Sequence, residues 1–325
     1  MPKLVTIFGG SGFVGRYIAQ RMARQGWRVR VAVRRPNEAH FVRPYGRVGQ
    51  VEPILCNIRN EDSVRAALLG ADAAVSCVGT FDAGGKNNFD AVQHEGAARI
   101  ARLAASEGVS RLVHISAIGA DIEGASRYAQ SKGKGEAAIL EAFSSAIIFR
   151  PSVIFGPEDQ FFNRFAGMAR TSPAIPLVGA GTKFQPVYVD DVALAVQQAV
   201  LGEVPSGIYE LGGPDVETFR ELIEQMLKTI RRRRLILSLP FWVGSTMGRV
   251  TGAVSALTGG LAPQPITVDQ VKSLRQDNIV GDDAKTFDDL GIVPTSIEAV
   301  VPSYLWQFRP SGQYAELKES ARNLR

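Results

Sequence analysis

The sequence predicts a doubly wound parallel α/β sheet with a smaller C-terminal α/β region. Three observations support this prediction: an apolar strand that leads directly into a glycine-rich turn and a helix, strands that alternate with helical stretches, and a length of 325 residues. Alternating strands and helices require crossover connections, which produce a parallel sheet. We therefore expect a Rossmann domain at residues 1–180 and the smaller region at residues 181–325, with later segments such as 190–191 and 208–213 returning to the sheet.

The first strand, residues 4–8, leads into a turn that predicts a phosphate-binding site. The candidate phosphate contacts are Gly9, Gly10, Ser11, Gly12, Phe13, Val14 and Gly15. The glycines fit G-x-G-x-x-G when counted from Gly10 and G-x-x-G-x-x-G when counted from Gly9. Either spacing permits a tight turn, close approach of backbone N–H groups to a pyrophosphate, and a helix whose N-terminus attracts an anion. The alternative is a plain turn, which the position between a strand and a helical run argues against.

The second strand, residues 27–33, ends at two arginines, and this end determines the expected cofactor. A NAD-binding unit carries an Asp or Glu here, which accepts a hydrogen bond from the ribose 2′-OH. This chain has Arg34 and Arg35 instead. A guanidinium can bind a 2′-phosphate in a bidentate pair, so the sequence favours NADP(H). The alternative is a solvated basic turn.

Three further strands, at residues 51–58, 73–79 and 111–116, alternate with helices at about 61–69 and 89–107. Ligands of such sheets lie at the carboxyl ends of the strands. The third and fourth strands therefore add five candidate cofactor contacts, namely Asn57, Ile58, Cys77, Val78 and Gly79.

A tyrosine and a lysine are the candidates for proton transfer. Tyr128 and Lys132 are four residues apart on a predicted helix that continues through Ile139, so they share one helix face. A nearby ammonium is expected to lower the phenol pKa, and the pair could then act as a general acid and base. The Y-x-x-x-K pattern alone is common by chance.

The order of these motifs resembles that of an extended or atypical short-chain dehydrogenase/reductase. The resemblance rests on the glycine turn, the strand that ends at Ser116, Tyr128 with Lys132, the segment 149–156, and the Asp-Asp pair at 190–191. It implies that Arg150, Pro151 and Ile154 lie beside the nicotinamide and that a Ser or Thr just past the fifth strand works with the tyrosine. This chain has Ala117 there, which leaves Ser116 as the candidate hydroxyl and puts the catalytic triad, but not the cofactor site, in doubt.

Within that family, the chain is similar to the NADPH-binding accessory subunits of respiratory complex I, the NADH:ubiquinone oxidoreductase. The similarity covers nearly the whole chain and includes residues 155–163, 267–272 and 290–296. It implies a tightly held, structural NADP(H), complex I subunits as partners, and a position close to the membrane. The different-class alternative is a soluble NADP-dependent reductase, epimerase or dehydratase acting on a carbonyl or nucleotide-sugar substrate. Both alternatives share this fold, so whether the chain is an enzyme stays open.

Composition narrows the remaining classes. The balance of 37 Lys+Arg against 32 Asp+Glu gives a net charge of +5, which is too small to predict nucleic-acid binding. The two cysteines, Cys56 and Cys77, have no metal-ligand spacing, so we expect reduced thiols and no metal. No signal peptide is expected, and no run of 18 apolar residues occurs. We therefore expect a cytoplasmic protein that is peripheral on the cytoplasmic face of the inner membrane.

The segment 235–261 predicts a contact with the membrane or with a partner. It follows the arginine run 231–234 and contains an apolar stripe that includes Val243, Met247 and Val250. A row of small residues, including Gly244, Gly248 and Gly252, recurs every four residues and allows another backbone to come close. The combination suits an interfacial segment or a partner groove, and the alternative is a helix packed on its own small domain. Residues 310–325 are expected to form a polar tail.

Overall fold

The computed structural model describes residues 2–81, 84–257 and 267–314. The strands are β1 (Leu4–Phe8), β2 (Arg28–Val33), β3 (Val51–Leu55), β4 (Ala73–Ser76), β5 (Arg111–Ile115), β6 (Ile147–Pro151), β7 (Ile154–Phe155), β8 (Ala174–Val178), β9 (Lys183–Phe184), β10 (Val187–Tyr188), β11 (Gly207–Leu211), β12 (Glu217–Thr218) and β13 (Leu235–Leu239). The α-helices are α1 (Phe13–Arg24), α2 (Glu61–Leu68), α3 (Glu95–Ser106), α4 (Arg127–Ala142), α5 (Phe162–Thr171), α6 (Val189–Leu201), α7 (Phe219–Thr229), α8 (Phe241–Leu257), α9 (Val268–Ser273) and α10 (Ile297–Leu305).

Seven strands form one parallel sheet, in the order β11-β6-β5-β4-β1-β2-β3. The order runs outward in both directions from β1, as in a doubly wound fold. One face carries a core of buried apolar side chains that includes Phe8, Leu68, Ile100, Leu112 and Ile148. The predicted fold class is therefore confirmed. Strands β3 and β4 end earlier than predicted, so Asn57, Ile58 and residues 77–79 lie just beyond the strands.

The chain divides into two compact units that interleave along the sequence. The first contains residues 1–151, 189–212 and 280–294, and the second contains 152–188, 213–279 and 295–325. This division differs from a single boundary at residue 180, because strand pairing joins distant segments: β11 pairs with β6, whereas β8 pairs with β13. Helix α6 belongs to the first unit, where Asp190 accepts two hydrogen bonds of 2.7 Å from the Arg21 guanidinium of α1.

The second unit has its own core and a buried carboxylate that holds its loops. Asp159 is 1% exposed and accepts hydrogen bonds from the backbone N–H groups of Gly156, Phe161 and Asn163. The hydroxyl of Tyr304 on α10 donates to the same carboxylate at 2.6 Å. Burial raises the pKa of Asp159, although these donors partly offset the shift. One side chain thus ties the start of α5 to α10.

The described part of the segment 235–261 forms β13 and α8, and two of its small residues, Gly244 and Gly248, face inward. A Cβ at Gly244 would lie 2.8 Å from the side chain of Val178, and one at Gly248 would lie 2.8 Å from the backbone nitrogen of Val268. The apolar stripe faces outward at Met247 and Val250, which are 38% and 58% exposed. At Gly244 and Gly248 the row that was expected to receive another backbone therefore packs within its own unit, whereas a Cβ at Gly252 would meet no described atom within 4 Å. Residues 258–261 of the predicted segment and most of the predicted polar tail lie outside the described residues.

Two of the four arginines that precede β13 form hydrogen bonds to backbone carbonyls of other segments. The guanidinium of Arg232 donates to the carbonyl of Phe308, and that of Arg234 donates to the carbonyl of Ala169. Arg231 and Arg233 alternate with them and are exposed. Among the helices described, none is long and apolar enough to cross a membrane.

Candidate functional site

The glycine turn after β1 has the backbone geometry that a bound phosphate needs. Gly9 has a φ of 77°, in the left-handed region, and its carbonyl accepts the N–H of Gly12 at 2.9 Å. A Cβ at Gly15 would collide with the carbonyl oxygen of Gly9 and lie 2.7 Å from the Cα of Gly10, so only glycine lets α1 approach the turn. Ser11, Phe13 and Val14, the other predicted contacts, lie in the same turn and in the first turn of α1.

The N-terminus of α1 fits an anion. Gly12 is its N-cap and, within the described residues, no side chain caps the helix and no acidic residue stands in its first turn. The first backbone N–H groups of a helix have no partner within the helix and carry partial positive charge. The residues present therefore suit the pyrophosphate of a dinucleotide.

Arg34 and Arg35 lie directly beyond the end of β2, and both are exposed. The Arg35 guanidinium donates to Glu38 at 3.1 Å, an exposed ion pair that competes only weakly with a phosphate. Arg16 of α1 has its guanidinium 4.9 Å from the ring centre of Phe41. Two basic side chains thus occupy the place where a NAD site carries a carboxylate.

The ends of β3 and β4 place the remaining predicted contacts near the turn. Cys77 and Val78 touch it directly, because a Cβ at Gly9 would lie 3.3 Å from the backbone of Cys77 and 3.4 Å from Val78. Burial raises the pKa of the Cys77 thiol to about 12, so the thiol is protonated at neutral pH. Gly79 is exposed just beyond them.

Asn57 and Ile58 follow β3 and serve local structure. The backbone N–H of Asn57 donates to the Ser63 hydroxyl at 2.9 Å, and its side chain accepts from Arg59. Ile58 packs against Gly96 of α3. Their contact with a cofactor stays a prediction.

Helix α4 carries Tyr128 and Lys132 on one face, as predicted, but their environment differs from the expectation. Lys132 is buried and donates to the backbone carbonyl of Ile115 at 3.1 Å. Burial lowers the pKa of Lys132 to about 8, with Glu136 and Cys77 opposing the shift. Burial also raises the pKa of Tyr128 to about 12. The expected lowering of the phenol pKa is therefore wrong, because desolvation of the phenolate outweighs attraction to the ammonium.

Two phenylalanine rings enclose Tyr128. Phe81 stacks on it with ring centres 5.5 Å apart and an interplanar angle of 13°. Phe89 meets it edge-on at 5.9 Å and 77°. The two rings cover part of the tyrosine ring, which is half-buried.

The hydroxyl of Ser116 is engaged by a buried ion-pair network. Ser116 donates to Glu136 of α4, and the Arg150 guanidinium donates to both oxygens of the same carboxylate, at 3.0 and 2.6 Å. A further bond of 3.4 Å joins Arg150 to Glu210. These hydrogen bonds, chiefly that with Glu136, raise the pKa of Arg150. Ser116 and Arg150 are thus tied to each other through Glu136, beside Ala117.

The other residues of the Arg-Pro segment lie in two different units. Pro151 ends β6 and its carbonyl accepts from Ile118 at 3.1 Å. Ile154 lies in β7 of the second unit, so its place beside a nicotinamide stays a prediction. No cluster of His, Cys, Asp or Glu within the described ranges could hold a metal ion.

Sequence reasoning did not assign a role to Glu136, Phe81, Phe89 or His114. Glu136 had a usable signal, because it lies four residues after Lys132 and so on the same helix face. The two phenylalanines had none, since they are isolated in an irregular stretch. His114 is 1% exposed on β5, and neither ring nitrogen has a hydrogen-bonding partner within the described residues.

Comparison with known proteins identifies relatives across most of the chain. Residues 5–212 match the NAD dependent epimerase/dehydratase family. The chain is 34% identical over 316 residues to NADH dehydrogenase (ubiquinone) 1 alpha subcomplex subunit 9, mitochondrial, of Arabidopsis thaliana, covering 95% of the chain and 79% of the relative. It is 30% identical to the NADH-ubiquinone oxidoreductase 40 kDa subunit of Neurospora crassa, covering 95% and 80%. It is also 30% identical over 257 residues to ceramide reductase of Caulobacter vibrioides, covering 78% and 79%.

Solved structures share the fold at lower identity. The chain superposes on NADPH-dependent quinone oxidoreductase QOR2 of Escherichia coli, complexed with NADPH, with a TM-score of 0.70 and 16% identity, covering 93% and 99% of the two chains. It superposes on dTDP-glucose 4,6-dehydratase of Bacillus anthracis, in complex with NAD, with a TM-score of 0.67 and 14% identity, covering 98% of each. The neighbours are Rossmann-type dinucleotide-binding proteins, in agreement with the sheet order.

Proposed function

We propose that this chain, which belongs to the NAD dependent epimerase/dehydratase family, is an NADP(H)-binding accessory subunit of respiratory complex I whose cofactor is not turned over. Three relatives that are named as subunits of NADH dehydrogenase or NADH-ubiquinone oxidoreductase align with 91–95% of the chain at 30–34% identity. That breadth includes both compact units, so it is not confined to the nucleotide-binding part.

The proposed lack of turnover rests on the contacts that the three predicted catalytic residues make within the protein. The Ser116 hydroxyl is bound to Glu136, the Lys132 ammonium is bound to a backbone carbonyl, and Tyr128 is packed between two phenylalanines. A general acid must reach the substrate oxygen within hydrogen-bonding distance. The hydroxyl of Ser116 and the ammonium of Lys132 are thus engaged by other groups of the protein, and Ala117 supplies no hydroxyl.

The residues that would hold the cofactor are those of the glycine turn, the end of β4 and the two arginines beyond β2. When bound, the nicotinamide supplies hydride chemistry. The backbone N–H groups at the start of α1 would bind the pyrophosphate, and Arg34 and Arg35 would bind a 2′-phosphate in preference to a hydroxyl.

Cofactor choice can be measured directly. Replacing Arg34 and Arg35 by Ala should weaken NADPH binding much more than NADH binding, because each charge-assisted hydrogen bond contributes about 1.5 to 3 kcal/mol. Isothermal titration calorimetry gives both dissociation constants. Arg28→Ala, at the opposite end of β2, is the matched control and should change neither. Equal losses for the two cofactors would show that the arginines do not read the 2′-phosphate.

We also propose a peripheral position on the cytoplasmic face of the membrane. Leu235 and Leu237 of β13 and Trp242 of α8 are 63%, 42% and 69% exposed, beside the exposed Arg231 and Arg233. Exposed apolar side chains next to basic ones suit an anionic lipid surface.

Assembly is tested by purification from the organism's own membranes. Solubilised in mild detergent, the tagged protein should elute with NADH:ubiquinone oxidoreductase subunits and activity, and its deletion should lower the amount of assembled complex. A tagged, unrelated dinucleotide-binding protein controls for carry-over. If the protein elutes alone and its deletion leaves assembled complex and activity unchanged, the assignment fails.

The similarity to ceramide reductase favours a second candidate, a free reductase acting on a lipid carbonyl. That function requires Tyr128 to donate a proton to the carbonyl oxygen while hydride reaches the carbon. Oxidation of NADPH by the purified protein with a ceramide-type carbonyl substrate, abolished by Tyr128→Phe, would establish it. If neither the wild-type protein nor Tyr128→Phe oxidises NADPH with such a substrate, the result favours the proposal of an accessory subunit.

A further inference from the structure

The first fifty residues of the chain carry a large excess of positive charge. They contain nine arginines and one lysine but a single carboxylate, Glu38, which gives a formal charge of +9. The rest of the chain has 27 basic against 31 acidic residues, a charge of −4. The positive potential of the protein is therefore concentrated on the elements that this stretch forms, chiefly β1, α1 and β2.

Half of these basic residues have partners in the fold or a proposed role. Arg21 pairs with α6, the Arg30 guanidinium donates to two carbonyls at the end of α2, and Arg16 donates to carbonyls of the glycine turn. Arg34 and Arg35 lie where a 2′-phosphate is proposed to bind. The other five are Lys3, Arg24, Arg28, Arg43 and Arg47.

Three of the remaining arginines lie together at the edge of the sheet where its strands begin. Arg24 ends α1, Arg28 begins β2, and Arg47 lies in the turn before β3. The side-chain amide of Gln50 joins these segments. Its nitrogen donates to the backbone carbonyls that directly precede Arg24 and Arg28, at 2.6 and 2.9 Å, and its oxygen accepts the backbone N–H of Arg47 at 2.8 Å. We call the three arginines the amino-edge cluster.

The charge of the amino-edge cluster is not neutralised by nearby carboxylates. All three side chains are exposed, and within the described residues none forms a hydrogen bond or an ion pair. Two carboxylates lie near them, Asp72, which accepts the backbone N–H of Leu4, and Glu52 of β3. Burial, and secondarily repulsion from Arg28, lowers the pKa of Arg30, while Glu52 opposes the shift.

The cluster lies too far from the candidate cofactor site to act on a bound dinucleotide. Six residues of extended chain separate Arg28 from Arg34, a distance of about 20 Å at 3.3 Å per residue. Charges are largely screened beyond about 8 Å at physiological ionic strength. A partner at this edge and a cofactor at the opposite edge can therefore bind at the same time.

The composition of the cluster indicates which partner fits. Its members are all arginine, whose planar guanidinium binds a carboxylate through two parallel hydrogen bonds and is enriched in protein interfaces, where lysine is depleted. A lipid surface fits less well, because an interfacial segment carries apolar or aromatic anchors. Trp27, which lies between Arg24 and Arg28, is buried and offers no such anchor.

We propose that the amino-edge cluster docks the chain on an acidic protein surface, which presents Asp or Glu carboxylates to the three guanidinium groups. This deepens the proposed function, because it gives the chemistry of one contact within the assembly. It rests on that proposal for the identity of the partner.

The first test detects carboxylates at the docked surface. Replacing all three arginines of the cluster by Lys keeps their charges and supplies amines, which a carbodiimide couples to carboxylates in direct contact. The full-length variant is treated in native membranes, and the coupled peptides are identified by mass spectrometry. We expect amide bonds from at least two of the positions 24, 28 and 47 to Asp or Glu side chains of one other polypeptide.

The second test measures how much the charges contribute. With Gln at all three positions, the salt concentration that releases half of the protein from the complex containing the coupled polypeptide should fall at least twofold. Since the three side chains form no hydrogen bond with described residues, the urea midpoint and the dissociation constant for NADPH should stay as in the wild type. The matched control removes three exposed charges elsewhere, by Lys134→Gln, Lys228→Gln and Lys272→Gln, and should leave the release midpoint unchanged.

The docking proposal is overturned if the Lys variant couples to no other polypeptide, or if the Gln variant is released at the same salt concentration as the wild type. Weaker binding of the Gln variant to vesicles of anionic lipid, with unchanged release from the complex, would also overturn it and assign the edge to lipid.

The docking proposal and the proposed function can fail separately. If the wild-type protein does not elute with NADH:ubiquinone oxidoreductase, yet the Lys variant couples to acidic residues of another protein and the Gln variant is released from it, the docking surface stands and the complex I assignment is wrong. If the protein elutes with complex I and the Gln variant is retained as well as the wild type, the docking proposal fails alone.

Discussion

His114 is a buried side chain whose charged form the fold disfavours. It lies on β5 beside Ser76 of β4 and Ile148 of β6, and within the described residues no acceptor or donor reaches its ring nitrogens. Burial, and secondarily the Lys132 charge, lowers the pKa of His114 to about 3. The imidazole is thus neutral in the folded protein at pH 7 and becomes charged near pH 6.5 only after unfolding.

His114 should therefore make the protein sensitive to acid. Its folded-state pKa is depressed, so its contribution to stability is present above pH 6.5 and is lost as the pH falls toward 3. Replacing it by Leu should make the fall in unfolding free energy between pH 6 and 4 shallower by up to about 1.4 kcal/mol per pH unit. Urea unfolding at each pH measures this slope.

The control for that experiment is His40→Leu, which removes an exposed imidazole. It should leave the acid slope as in the wild type. If His114→Leu and the wild type lose stability in parallel, His114 is not the group that titrates.

For single residues, the sequence predicts which chemical groups are present better than it predicts what surrounds them. The glycine spacing, the missing hydroxyl at Ala117 and the shared face of Tyr128 and Lys132 all follow from position along the chain. The engagement of Ser116 by Glu136 depends on β5, β6 and α4 meeting in space, which spacing alone does not specify. The raised pKa of Tyr128 likewise depends on burial, which no periodic pattern indicates.

At the scale of elements, α8 shows the limit of periodicity. The pattern assigned its apolar stripe and small-residue row correctly to separate faces, but not which face packs inward. That choice depends on β8 and on the start of α9, which approach Gly244 and Gly248 too closely for any side chain. Close packing at these two glycines, rather than burial of the apolar stripe, therefore sets which face of α8 points inward.

Two glycines of the same row allow a matched test of that packing. Gly248→Ala should destabilise the second unit by about 1–3 kcal/mol, because its Cβ would lie 2.8 Å from the backbone of Val268. Gly252→Ala should be neutral or stabilising by up to about 1 kcal/mol, since its Cβ meets no described atom within 4 Å and alanine is the better helix former. The urea midpoints of the two variants measure the difference. Equal midpoints would contradict the packing described for α8.

At the scale of the molecule, the exposed side chains of β13 and α8 define the proposed membrane-facing surface. Arg231→Ser with Arg233→Ser should weaken binding to vesicles that contain anionic lipid by about 30-fold, since each arginine contributes about 1 kcal/mol near such a surface. Cosedimentation at low and high salt measures the loss, which should vanish on neutral vesicles.

Arg232→Ser with Arg234→Ser is the matched control for charge. It removes the same number of charges but breaks bonds to backbone carbonyls, so it should lower stability in addition to binding. If the variant that lacks Arg231 and Arg233 binds vesicles as well as the wild type does, the proposed contact with lipid is wrong. Assembly with complex I is a separate proposal, which the purification experiment tests.

The domain boundary was the least predictable feature of the whole molecule. Strands β8 and β13 pair in parallel, although β11, which lies between them in the sequence, belongs to the other unit. Chain order therefore gives no direct indication of unit membership.

The interleaving also constrains how the protein is made. A ribosome releases β6 before residues 152–188, yet the strand that pairs with its outer edge, β11, and the segment 280–294 come later. At about 5–20 residues per second, the edge of β6 stays unpaired and the first unit incomplete for a period on the order of ten seconds. During that interval the nascent chain presents an open strand edge to which other chains can add, so a chaperone that shields it should raise the yield of newly synthesised protein.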